Sequence, residues 1–136
     1  MSHQHENTFN KPAIYITNED YAAISRLVAA ADETSPGAAL LADEIDRATR
    51  VRAEAGGFVR LGSCVVFKDL TNDRVQEAQL TLPKDADISA GRISVLAPVG
   101  ASLIGLTEGS RFQWIGADGR IRELEILSVD DPDIAA

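Results

Sequence analysis

The chain has 136 residues, 45% of them hydrophobic, and 13 Lys and Arg against 21 Asp and Glu give it a net charge of −8. That length supports one domain or two small ones around a single core. The acidic balance argues against autonomous nucleic-acid binding, which needs a basic patch to displace counterions, and no apolar run approaches the ~20 residues of a membrane span.

Residues 1–12 read as a disordered tail closed by Pro12, and the polar Met1-Ser2-His3-Gln4-His5 start lacks the apolar core of a signal peptide. A cytoplasmic protein is the expectation. Ala13 to Thr17 is a short β-type run. Thr17 has the chemistry of an N-cap, with Asp20 three residues on as the acidic member of a capping-box-like pair. Tyr21, Ile24, Leu27, Val28 and Ala31 then recur at helical spacing, which predicts a helix from Glu19 to Ala31. Asp32-Glu33-Thr34-Ser35 is a turn, and Ser35-Pro36 is an N-cap followed by proline at the first helical position. Leu41, Ile45, Ala48 and Arg52 mark one face of a second helix, predicted to run to Ala55 and stop at Gly56-Gly57. Residues 13–57 are therefore expected to form an antiparallel helical hairpin, a short coiled coil.

After Gly57 the period becomes strand-like. Cys64–Lys68, Val75–Leu82, Ile93–Leu96, Arg111–Ile115 and Arg120–Val129 are predicted strands, with a polar loop at 84–92 and an Asp118-Gly119 hairpin turn. Pro98 to Ile104 is a short helix that Gly105 closes, because glycine tolerates φ > 0. Residues 130–136 are an acidic tail. The fold class is α+β, a helical hairpin followed at 58–129 by an antiparallel sheet with one short helix.

The run Ile93-Ser94-Val95-Leu96-Ala97-Pro98-Val99-Gly100-Ala101-Ser102-Leu103-Ile104-Gly105-Leu106-Thr107-Glu108-Gly109 carries more than local structure. It resembles the strand, Ser/Ala-Pro-Val/Ile-Gly, small-residue helix and closing glycine of the C-terminal domain in the GreA/GreB transcription elongation factor family. Its Ala-Pro-Val-Gly form is similar to the short Rnk branch, the regulators of nucleoside diphosphate kinase. Val65-x-Phe67-x-Asp69-Leu70, Leu80-x-Leu82-Pro83, Phe112-x-Trp114, Leu124-x-Ile126-Leu127 and Leu41-x-x-Glu44-Ile45-Asp46-Arg47-Ala48 extend the resemblance over nearly the whole chain after residue 11. The resemblance implies an FKBP-like C-terminal fold and a monomer that binds RNA polymerase near its secondary channel. It would meet nucleic acid only through that complex, need no cofactor and not bind membranes. Pro98, Val99, Gly100, Gly105 and Gly109 are the residues it implicates in docking. Two rival functions are an FKBP-like prolyl isomerase, for which Phe67, Phe112 and Trp114 supply few rings, and direct regulation of nucleoside diphosphate kinase.

His3 and His5 lie in the tail with no third ligand to make a metal shell. Cys64 lies in an apolar strand, with no histidine after residue 5 to act as its base, so a buried core thiol is expected. Asp85 and Asp87 lack the regular oxygen donors of a calcium loop. Asp32 and Glu33 sit at the hairpin tip, where cleavage-stimulating Gre factors carry acids that hold magnesium. A preceding helix of about 13 residues reaches only ~20 Å, the Gre hairpin is longer, and here the acids are adjacent rather than spaced. The expectation is a contact or solvated turn without catalysis and no metal.

Overall fold

The computed structural model describes residues 11–32, 35–116 and 118–130. The acidic tail beyond Asp130, His3, His5, Glu33 and most of the N-terminal tail lie outside the described residues. Strand β1 (Tyr15–Thr17) leads directly into helix α1 (Asn18–Ala30). The predicted cap is present, because the Asp20 N–H donates to Thr17 Oγ1 at 3.0 Å. Helix α2 spans Pro36–Arg47 and is capped by Ser35, whose Oγ accepts from the Ala38 N–H at 3.3 Å.

Helix α2 stops eight residues short of its predicted end. Thr49–Val51 forms β2, which pairs in parallel with β1. Thr49 and Val51 are β-branched and favour extended backbone, and β1 offers a free edge, with Thr49 N–H donating to Ile14 O at 3.0 Å. Tertiary pairing thus overrides the helical spacing of Ala48 and Arg52. The N-terminal segment is also tied down: Arg47 Nη1 donates to Pro12 O at 2.7 Å. Arg47 meanwhile clamps the buried Glu44 carboxylate, at 2.7 Å, and Lys11 approaches the same group at 3.9 Å.

The C-terminal half is a five-stranded sheet in the order β5-β4-β3-β7-β6. Its strands are β3 (Cys64–Asp69), β4 (Arg74–Thr81), β5 (Arg92–Ser94), β6 (Arg111–Ile115) and β7 (Ile121–Asp130). All neighbours are antiparallel except β4 and β5, which run parallel. The expected all-antiparallel sheet is corrected there. Two short 3₁₀ turns, Pro83–Asp85 and Ile88–Ala90, carry the chain back before β5 begins, so β5 enters in the direction of β4. A register shift between β3 and β7 at Val66/Phe67 leaves Leu127 without a partner on β3.

Alternation along β3 turns Val65 and Phe67 inward and Cys64 outward. Cys64 is therefore exposed, not the buried thiol expected from its apolar neighbours. The helix α3 (Pro98–Leu103) packs on the sheet. One buried cluster joins Val65, Phe67, Leu80, Leu124 and Ile126 of the sheet to Leu103 and Ile104. The same cluster holds Ile14, Ile16, Ile24, Leu41 and Ile45 from the N-terminal half.

Candidate functional site

The segment from Ile93 to Gly109 folds as its residues dictate. Pro98 opens α3, where a missing N–H costs nothing. Gly105 adopts φ +82° just past the helix end and Gly109 adopts φ +86° in the next turn, backbone that favours glycine. Six helical residues cannot hold a helix unaided. Burial of Ala101, Ser102, Leu103 and Ile104 holds it instead.

The five implicated residues do not share one exposed face. Pro98 and Val99 are half-buried, and Gly109 is exposed. Gly100 is buried, with a Cβ at its position falling 2.0 Å from Ser94 O. Gly105 is buried against β1: its N–H donates to Val59 O at 2.8 Å and its carbonyl accepts from Tyr15 N–H at 3.2 Å. A Cβ there would meet Ile14 Cβ at 2.8 Å and Tyr15 O at 2.9 Å. Gly100 and Gly105 therefore shape the segment from inside, while Pro98, Val99 and Gly109 reach solvent.

Asp32 is exposed at the α1–α2 turn, where its carbonyl accepts from Ser35 N–H at 2.9 Å. A shallow groove of ≈ 200 Å³ between Val28, Ala31, Asp32, Ala38, Ala39 and Ala42 runs beside it. Glu33, its sequence neighbour, lies outside the described residues. Among the described residues no three His, Cys, Asp or Glu side chains converge as a metal site would require. The Asp87 carboxylate is instead engaged in its own turn: Oδ1 accepts from the Ser89 N–H at 3.1 Å and hydroxyl at 2.7 Å, and Oδ2 faces Arg92 at 3.8 Å. The Ser89 hydroxyl leads the contacts that hold it below the ordinary carboxylate range. Lys84, Asp85, Asp87 and Arg92 rim an open groove of ≈ 590 Å³ over Leu80. Their two cations and two acids give it no net charge to select an ion. Phe112 and Trp114 stack at 6.1 Å, with Phe112 buried and Trp114 half-buried.

Four further residues, Asp20, Arg60, Glu44 and Gly37, hold this geometry. Asp20 does not complete a capping box. Its Oδ2 accepts from the Leu61 N–H at 3.0 Å, across to the C-terminal half. Burial pushes its pKa above the ordinary 3.8, although the Leu61 hydrogen bond and the Arg60 charge pull the other way. Arg60 donates to Ala53 O at 2.9 Å and to Ala55 O, and lies 4.7 Å over the Phe58 ring. Glu44 is buried at 1% exposure beneath Arg47. Gly37 lies in the first turn of α2, and its Cα approaches the Leu96 carbonyl so closely that a Cβ would fall 1.6 Å from that oxygen. A glycine in the first turn of an otherwise Ala/Leu-rich helix is the sequence signal that such a contact leaves.

This α+β frame, with the Pro98-opened helix and its glycine closure intact, defines the protein class. Residues 53–131 match the model for the C-terminal region of the GreA/GreB transcription elongation factors, and residues 12–51 match that of the Rnk N-terminus. The chain belongs to the GreA/GreB transcription elongation factor family. It is 32% identical over 124 residues to the regulator of nucleoside diphosphate kinase of Escherichia coli, covering 89% of this chain and 91% of that protein. It is 38% identical over 78 residues to the transcription elongation factor GreA of Methylococcus capsulatus, covering 57% of this chain and 49% of that protein. The chain thus matches about half the length of that GreA and nearly all of the shorter regulator. A solved GreA/GreB factor from Nitrosomonas europaea superposes with a TM-score of 0.67 at 32% identity, over 88% of this chain and 98% of that one.

Proposed function

We propose that this protein binds RNA polymerase near the secondary channel and modulates transcription without stimulating transcript cleavage. In this reading residues 58–129 are an FKBP-like docking domain, with Pro98, Val99 and Gly109 at its contact face and Gly100 and Gly105 setting that face's shape. Helices α1 and α2 act as a short helical hairpin. The protein works as a cytoplasmic monomer, needs no metal or cofactor of its own, and meets nucleic acid only through the polymerase. Among the described residues no helix is long and apolar enough to cross a membrane.

The observation that supports the reading best is the match of residues 53–131 to the GreA/GreB C-terminal region, joined to the shortness of α1 and α2. Helices α1 and α2 have 13 and 12 residues, which is about 20 Å each at ~1.5 Å per residue. A cation held at Asp32 would be displaced from a centre that a longer hairpin reaches, and a misplacement of even ~1 Å can cost about 100-fold in rate. Bound in excess, the protein should reduce the transcript cleavage that a longer Gre factor drives in backtracked complexes. Asp32→Ala with Glu33→Ala should leave that inhibition unchanged. Cleavage above the polymerase's own background, lost in the double variant, would overturn the reading.

A second reading has its own support, because the Escherichia coli relative is named a regulator of nucleoside diphosphate kinase. Co-purification of the full chain with tagged core polymerase against tagged nucleoside diphosphate kinase separates the two. The prolyl isomerase alternative gains nothing from the rings: Phe67 and Phe112 are buried at 2% and 0% exposure, inside the core rather than lining a pocket.

A further inference from the structure

Among the described residues, the two halves of the chain meet in close backbone approaches at Gly37 and Gly105 and in a side-chain hydrogen bond at Asp20. The first turn of α2 rests on the strand-to-helix loop before α3, with no room at Gly37 for a side chain before Leu96 O. The start of β1 rests on the end of α3, where Gly105 lies against Ile14 and Tyr15 and shares a hydrogen bond with Tyr15. The first turn of α1 is tied to the start of the C-terminal half by Asp20 Oδ2, which accepts the Leu61 N–H at 3.0 Å.

The connection between the halves is held as well. Gly56-Gly57 offers two residues of free backbone, and Gly57 adopts φ +87°. Yet Arg60 reaches back to the carbonyls of Ala53 and Ala55 and stacks on Phe58, so the loop is pinned from its far side. Rotation about residues 52–57 cannot keep all three contacts, because they lie on α2, β1 and α1 and face different parts of the C-terminal half. The shared buried cluster would also have to part, exposing Ile14, Ile16, Leu41 and Leu103, all at 2% exposure or less.

We infer that the N-terminal helices and the sheet are one rigid body, in which Gly37, Gly105 and Asp20 are positioning residues that hold the α1–α2 turn at one distance and angle from the C-terminal half. Much of the Ile93–Gly109 segment is then the seat of this joint: its inner side carries the helices and its outer side is left for a partner. What this means for polymerase rests on the docking reading above. Once the C-terminal half docks, Asp32 at the end of α1 is delivered to a fixed place by the joint.

The test uses the full chain in solution. The exposed Cys64 and a cysteine introduced by Ala29→Cys on the exposed side of α1 take a pair of spin labels. One narrow distance distribution is expected; a broad or two-peaked one in the folded protein overturns the inference. Gly37→Ala in the same labelled chain should move the mean distance, because the Leu96 carbonyl leaves no space for a methyl group. An unchanged mean with native Trp114 emission would show that Gly37 is not a seat. Asp20→Ala should speed hydrogen exchange at the Leu61 amide about tenfold, the factor one hydrogen bond of ordinary strength provides; an unchanged rate removes Asp20 from the joint. None of these measurements involves polymerase. A failure here leaves the docking reading intact, and a failure to bind polymerase leaves the joint intact.

Discussion

Replacing Gly105 and Gly109 by alanine, one at a time, separates two reasons for a glycine. Both residues have left-handed backbone, with φ of +82° and +86°. An L-residue pays about 1–2 kcal/mol for that conformation, so this cost is common to both variants. The surroundings differ. A Cβ at Gly109 meets nothing within 4 Å, whereas at Gly105 it meets Ile14 Cβ at 2.8 Å and Tyr15 O at 2.9 Å. Tyr15 O is backbone and cannot swing aside, so β1 must shift, and forced overpacking adds about 1–3 kcal/mol. Gly109→Ala should therefore lose about 1–2 kcal/mol and Gly105→Ala about 2–5 kcal/mol. Urea unfolding followed by Trp114 emission and by helical circular dichroism measures both losses. Equal losses would mean that β1 yields freely, which would refute the tight seat and the argument built on it.

Leu103 is 1% exposed on a helix that packing alone maintains, so Leu103→Ala should cost about 2–5 kcal/mol; a loss under about 0.5 kcal/mol, the range of surface changes, would contradict its placement. Asp20 makes a prediction about pH. Its folded-state pKa is raised, first by burial, above the ordinary 3.8, so the folded protein binds more protons than the unfolded chain in the window that opens near 3.8 and closes at the raised value. Stability from this group falls as pH rises through that window. Asp20→Asn should abolish that fall and leave the protein at least as stable as the parent at pH 7, as read from urea midpoints at pH 4 and 7. A variant clearly less stable at pH 7 would show that the Leu61 and Arg60 contacts outweigh burial.

Local signals were legible wherever a residue's own chemistry decides. Thr17 and Ser35 cap α1 and α2, Pro98 opens α3, and the Asp118-Gly119 pair joins β6 to β7. Each of these needs only its neighbours in sequence. The errors lie where a distant segment decides. Thr49–Val51 becomes a strand because β1 is there to pair with. The β5 strand runs parallel because the turns before it return the chain along β4. Cys64 faces outward because Val65 and Phe67 claim the inner face of β3, a period-two argument that its apolar neighbours concealed.

The candidate site shows the same divide at the level of function. A glycine held against another backbone is required whether that backbone belongs to a partner or to the same chain, and a motif cannot tell the two apart. At Gly105 the neighbour is the chain's own β1, and at Gly37 it is the chain's own Leu96. Asp20 is similar: a carboxylate three residues past Thr17 suits a capping box, but its acceptor is used by Leu61, 41 residues away. Burial disfavours its charge, so Asp20 contributes more to where α1 sits than to how stable the fold is. Residues of this kind keep the Asp32 turn in register with the C-terminal half. A substitution at Gly37 can then alter what the turn does at a partner while every residue facing that partner is unchanged.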